Sequence, residues 1–256
     1  GVKSHHMLVI NADDFGRNRL ATDRILVCHV EKRITSTSAM VFMEDSKRAA
    51  ILAKDWQVDV GLHINFTEAF TGPSVPQPLR RDHERIRRFL RLNKYALLIY
   101  NPFLRSAFRA VFEAQLEEFA RLYGWPASRF DGHQHMHLCS NMILDSLLPA
   151  GAKVRRSFSF RGGEKGFFNR FYRAVIDRRL ATQHRITDFF FALSQHLPIS
   201  RLQGVLELAR AYDVELMTHP EVNAEFEGLL SDEFANTISA VQLETCASPL
   251  RALHSW

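Results

Sequence analysis

The first 64 residues constrain the fold most, because apolar β-rich runs alternate there with helical ones at short intervals. Leu8-Val9-Ile10 reads as a buried strand that delivers Asn11-Ala12-Asp13-Asp14-Phe15-Gly16, two adjacent carboxylates followed by a turn. Residues 18–33 follow as a helix with Leu20, Ile25, Cys28, His29 and Val30 on one side. A hydroxyl-rich strand over 34–42, a short helix over 45–54 and a third strand over 58–64, which carries His63, complete the pattern. Strand, helix, strand, helix, strand at this spacing predicts parallel βα units.

Beyond them, residues 71–78 form a proline- and glycine-bearing loop. An arginine-dense stretch, 80–91, and an apolar run, 95–103, are candidates for a lid or a homodimer surface; the alternative is a solvated helix with a core element behind it. Residues 107–123 make an amphipathic helix with Val111, Phe112, Leu116 and Phe119 inward, ended by Gly124 and Pro126. In Phe130-Asp131-Gly132-His133-Gln134-His135-Met136-His137-Leu138 an extended backbone places Asp131, His133, His135 and His137 on one face. Short elements over 141–148, 153–155, 188–193 and 200–211 lead to a late strand, Val214 to Thr218, that ends in His219-Pro220. The basic and aromatic stretch 158–180 suits either a half-buried helix or stacking on nucleic acid.

Composition narrows the class. With 46% hydrophobic and 24% charged residues the chain is an ordinary globular one, and its 20 phenylalanines point to an aromatic core or pocket. A formal charge of +5 permits an acidic partner without requiring one. Cys28, Cys139 and Cys246 are odd in number and make no CxxC pair, which fits a reducing, cytoplasmic compartment. No integral membrane segment or signal peptide is expected, and residues 7–256 read as one domain behind a six-residue leader or remnant.

Asp13, Asp14, His63, the Asp131 to His137 cluster and His219 all fall at the C-terminal ends of expected strands, where α/β folds collect catalytic groups. Taken singly, each has a plain reading as a turn acid, a core histidine or a strand cap. Together they assemble one carboxylate and two imidazoles, a divalent-metal set that leaves positions open for water and substrate. A second carboxylate as base and a separate histidine as acid then suit amide or ester hydrolysis. Phosphoester hydrolysis, and non-catalytic binding of carbohydrate or nucleic acid, are the competing readings.

The segments Ile10 to Gly16, Thr35-Ser36-Thr37-Ser38, Val60-Gly61-Leu62-His63, Asp131 to His137 and Met217-Thr218-His219-Pro220, in that order, resemble the YdjC family of carbohydrate deacetylases, which includes chitooligosaccharide deacetylases and hopanoid-associated relatives. The resemblance implies an α/β fold, a distorted (β/α) barrel of parallel strands. It also implies metal-dependent removal of N-acetyl groups from an amino sugar, oligosaccharide or glycoconjugate, with one divalent ion, Mg or Zn, as cofactor. Carried over position by position, Asp14, His63 and His133 hold the metal, Asp13 is the general base and His219 the general acid. Asn11, Asp131, His135 and His137 then contact substrate or stand behind the ligands. Arg17-Asn18, Thr22-Asp23-Arg24 and Glu221 depart from the family pattern, and a more cationic rim favouring an acidic or phosphorylated sugar is the expectation they raise.

Overall fold

The structure is a computed structural model that describes residues 6–159 and 167–239, with only the backbone of 167–169. Seven strands, β1 (Leu8–Phe15), β2 (Ser36–Ala39), β3 (Val60–Ile64), β4 (Arg129–Gly132), β5 (Lys153–Val154), β6 (Phe189–Ala192) and β7 (Val214–Thr218), form one parallel sheet in the order β5-β4-β3-β2-β1-β7-β6. Its two edges curl toward each other. Lys153 bridges Arg185 in parallel register, and Ser159 donates its N–H to the Phe190 carbonyl at 2.9 Å. The result is a distorted (β/α) barrel, as the family resemblance implied.

β1 lies inside the sheet between β2 and β7, and all eight of its residues are buried. That accounts for its unalternated apolar start, Leu8-Val9-Ile10. Around the sheet run α1 (Arg19–Val30), α2 (Ser46–Asp55), α3 (Gln77–Leu90), α4 (Arg105–Tyr123), α5 (Ser140–Leu144), α6 (Phe167–Gln183), α7 (Gln203–Leu208), α8 (Asn223–Leu230) and α9 (Asp232–Ser239). α4 buries Val111, Phe112 and Phe119 as its periodicity predicts, and Gly124 ends it at φ +81°. Phe112 meets Phe130 edge-on, and Phe119 stacks on Tyr123 at 4.5 Å, so much of the phenylalanine content is core. In α1, Ile25 and Cys28 point inward, but Leu20 and Val30 are about half exposed, so its inward stripe is narrower than expected. Cys28 and Cys139 are free and buried, and burial pushes both thiols up to about 12. Cys246 and Phe160 to Gly163 lie outside the described residues.

One expected element is corrected. β4 stops at Gly132, and His133–Leu138 fold into a 3-10 turn with Gln134 and His135 at φ +53° and +60°. The alternating face of Asp131, His133, His135 and His137 therefore does not form. The chain doubles back so tightly that a Cβ on Gly132 would lie 2.6 Å from the His137 nitrogen. Gly132→Ala is expected to destabilise the protein by about 1–3 kcal/mol through forced backbone movement. An unchanged urea midpoint would show that the turn yields without cost.

Candidate active site

Neighbouring residues on a regular strand point to opposite faces, so Asp13 and Asp14 can share a site only if β1 is irregular. It is. The register with β2 slips between Ala12 and Phe15, and Asp14 takes φ +74°, a left-handed conformation that aspartate tolerates better than most residues. The bulge brings both carboxylates to the C-terminal end of the barrel.

Two adjoining clusters result. In the inner one, Arg155, at the end of β5, places Nη1 2.7 Å from Asp13 Oδ2 and Nη2 2.8 Å from Asp13 Oδ1. Nη2 also lies 3.1 Å from Asp131 Oδ2, and Nε donates to Glu215 Oε2 at 3.0 Å. Asn11 Nδ2 donates to Asp13 Oδ1 at 2.8 Å, and Ser36 Oγ donates to Asn11 Oδ1 at 2.9 Å. Burial alone raises the pKa of Asp13, but Arg155 outweighs it and holds the carboxyl below its ordinary value. Asp131 is held low in the same way, by Arg155 and His63.

In the outer cluster, Asp14 Oδ1 lies 3.1 Å from both His63 Nε2 and His133 Nδ1. His63 Nδ1–H points at Asp131 Oδ1, 2.8 Å away, which fixes the imidazole's orientation. Glu68 Oε2 stands 3.1 Å from His133 Nε2 and does the same for that ring, while Arg17 Nε donates to Glu68 Oε1 at 2.9 Å. His219 follows β7 and is part exposed; its Nε2 lies 3.8 Å from Asp13 Oδ2 and its Nδ1 3.8 Å from Glu225 Oε2.

The donors of the outer cluster suit a divalent cation. The ligand atoms of Asp14, His63 and His133 all lie within 4.8 Å of one another. His63 Nε2 is buried without an aligned hydrogen-bond partner, although the Asp14 oxygen is 3.1 Å away. With Nδ1–H directed at Asp131, a neutral ring turns the Nε2 lone pair toward a carboxylate, and only a cation or a proton between them relieves that. Burial disfavours a charge on His63, yet Asp131, Asp14 and Asp13 together push its pKa up to about 10, so positive charge is favoured here. A second set, Asp13, His63 and Asp131, is equally compact, but Arg155 already supplies its positive charge.

Of the residues expected from sequence, Asn11, Asp13, Asp14, His63, Asp131, His133 and His219 converge. His135 and His137, expected as substrate contacts or behind the ligands, lie outside the ligand set. His137 is buried and donates through Nε2 to the Arg155 carbonyl at 2.9 Å, with burial lowering its pKa to about 4. His135 packs edge-on against Phe158, 4.7 Å between ring centres, and burial with the nearby Arg155 lowers it to about 3. Sequence reasoning passed over Arg155, Glu68, Glu215 and Glu225. The available signal for Arg155 was charge balance, since Asp13 and Asp131 on buried strand ends require a cation. The cationic rim also changes: Arg17 lies between Glu68 and Glu221, Asn18 Nδ2 donates to Glu221 Oε1 at 2.7 Å, and Arg24 donates to the carbonyls of Pro220 and Glu221. The departures from the family pattern thus bind one another, and their arginines are paired rather than open to an anionic sugar.

A family model described as YdjC-like protein matches residues 7–249. The chain belongs to the YdjC-like family. Among curated members, the chain is 32% identical over 134 residues to a chitooligosaccharide deacetylase of Proteus mirabilis (strain HI4320), covering 52% of this chain and 51% of that protein. It is 28% identical over 248 residues to a carbohydrate deacetylase of Vibrio campbellii (strain ATCC BAA-1116), covering 95% of this chain and 88% of that one. A crystal structure from Enterococcus faecalis V583, described as a cellobiose-phosphate cleavage protein, superposes with TM-score 0.65 at 18% identity, covering 94% of this chain and 98% of that one. That last similarity establishes that this YdjC-like chain shares its fold.

Arg155→Met leaves Asp13, Asp131 and Glu215 buried without their cation. A loss of about 3–5 kcal/mol in urea unfolding is expected, with Arg155→Lys intermediate. A loss below about 1 kcal/mol would mean that the carboxylates find another partner.

Proposed function

We propose that this YdjC-like protein is a metal-dependent carbohydrate deacetylase that hydrolyses the N-acetyl group of an amino sugar, oligosaccharide or glycoconjugate. The observation that carries the reading is the approach of Asp13 and His219 to 3.8 Å beside the Asp14, His63 and His133 ligand set. A base, an acid and a three-ligand cation site at one mouth are the parts that amide hydrolysis needs, and a binding protein has no use for the first two. The names of the curated relatives point the same way.

Asp14, His63 and His133 would hold one divalent ion, Mg or Zn. When bound, the ion supplies Lewis acidity, polarising the acetyl carbonyl and lowering the pKa of water. Asp13 accepts the proton of the attacking water. Arg155 keeps that carboxylate ionised and fixes its plane; Oδ1 also accepts from Asn11 Nδ2, so Oδ2, which keeps a lone pair beyond its contact with Arg155, is the oxygen that takes the proton. His219 delivers a proton to the departing amine nitrogen, leaving the free amino sugar and acetate. Glu225 orients His219, accepting its backbone N–H at 3.2 Å and facing Nδ1.

The assignment separates the two neighbouring acids. Asp13→Asn should retain a stoichiometric divalent ion by elemental analysis while acetate release from N-acetylglucosamine oligomers falls by about 10²–10⁴-fold. Asp14→Asn and His63→Ala should lose the ion itself. Loss of the ion in Asp13→Asn, with full occupancy in Asp14→Asn, would reverse the two roles. Absence of chelator-sensitive acetate release from every acetylated sugar tried would count against deacetylation.

A further inference from the structure

The net positive charge of this protein is concentrated in one place. Residues 77–109 contain nine Lys and Arg against two Asp and Glu, a surplus of seven, whereas the whole chain has 33 against 28. The rest of the chain is therefore slightly acidic. The two acids in the segment are paired locally, Asp82 with Arg85 and Glu84 with Arg87 and Arg88. Arg81, Arg91 and Lys94 are exposed, and Arg88 remains 80% exposed beside its partner.

The same stretch displays apolar side chains. Leu92 is 73% and Phe103 87% exposed, and Tyr95, Leu98 and Ile99 are each more than two-fifths exposed. These five are a third of the large hydrophobic residues that the described part of the chain exposes, yet they fall within twelve residues. They are held there. Arg85 Nη2 donates to the Phe103 carbonyl at 3.2 Å, and the Asn101 N–H donates to Asn141 Oδ1 at 2.9 Å. The surface adjoins the active-site end of the barrel, since Arg87 Nε donates to the carbonyl of Thr67, next to Glu68, and Asn141 lies in α5, directly after the His133–Leu138 turn.

We propose that α3 and residues 91–105 form a docking surface for an anionic lipid bilayer. Clustered basic side chains beside protruding Leu, Ile, Phe and Tyr are the composition of an interfacial membrane contact: the charges are drawn to acidic headgroups and the apolar side chains enter the headgroup–acyl boundary. A second copy of the chain fits less well, because a two-fold contact would set this basic surface against itself. Single-stranded nucleic acid fits less well too, since only Tyr95 and Phe103 offer rings to stack on, while Leu92, Leu98 and Ile99 offer none. The contact is peripheral; among the described residues no helix is long and apolar enough to cross a membrane. Docked this way, the mouth of the site lies beside the bilayer.

Co-sedimentation of the full chain with vesicles tests the proposal and reads partition, not turnover, so its outcome is independent of the deacetylase reading. Binding is expected to vesicles of equimolar phosphatidylcholine and phosphatidylglycerol, weakening with added salt, and not to phosphatidylcholine alone. A triple variant, Arg88→Gln, Arg91→Gln and Lys94→Gln, should lower the partition coefficient roughly hundredfold. Leu92→Ser with Phe103→Ser should weaken it while leaving the thermal midpoint unchanged, which excludes misfolding as the cause. Absence of binding to the anionic vesicles, equal binding to both vesicle types, or undiminished binding of the triple variant would overturn the proposal. So would a dimer in light scattering that Leu92→Ser with Phe103→Ser converts to monomer.

Discussion

The buried guanidinium of Arg155 meets Asp13, Asp131 and Glu215, and the charge balance at this end of the barrel depends on it. Three carboxylates inside a barrel would otherwise protonate or drive the strands apart, because burial of an unpaired charge costs several kcal/mol. One planar group with five donors satisfies all three at once, which a lysine ammonium cannot do in the same geometry. Arg155 leaves Asp14 untouched. That carboxylate faces two imidazoles, with Arg17 4.0 Å away, and its demand for positive charge is what makes the outer cluster suited to a cation.

This separation gives two acids adjacent in sequence different surroundings. The bulge after Ala12 turns both toward one end, but only Asp13 comes within reach of β5. Asp14, held at positive φ, is set toward β3 and the turn after β4. His63 stands between the two clusters, with one nitrogen on Asp131 and the other on Asp14, so the environments are joined through a single ring.

How much of this was legible in sequence depended on how local each interaction was. Asp13-Asp14, His63 and His219 were readable because each ends an apolar run, and the strand pattern alone puts such residues at one end of a parallel sheet. Arg155 was not, because its partners are 142, 24 and 60 residues away and only the closing of the barrel brings them together. The three alternating histidines misled for a local reason: Gln134 and His135 adopt left-handed backbone conformations that no periodicity signals. Glu221 looked like an isolated departure beside His219-Pro220, and became intelligible only once Arg17 and Asn18 were found against it.

In the proposed function the cation sits on the outer face of His63, not the inner one. Anomalous diffraction from a crystal grown with zinc, measured at the zinc absorption edge, tests it most directly. The expected result is a single peak bounded by the Asp14 carboxylate, His63 Nε2 and the His133 ring, with Arg155 still clamped on Asp13. A peak between Asp13 and Asp131, on the Nδ1 side of His63, would contradict it.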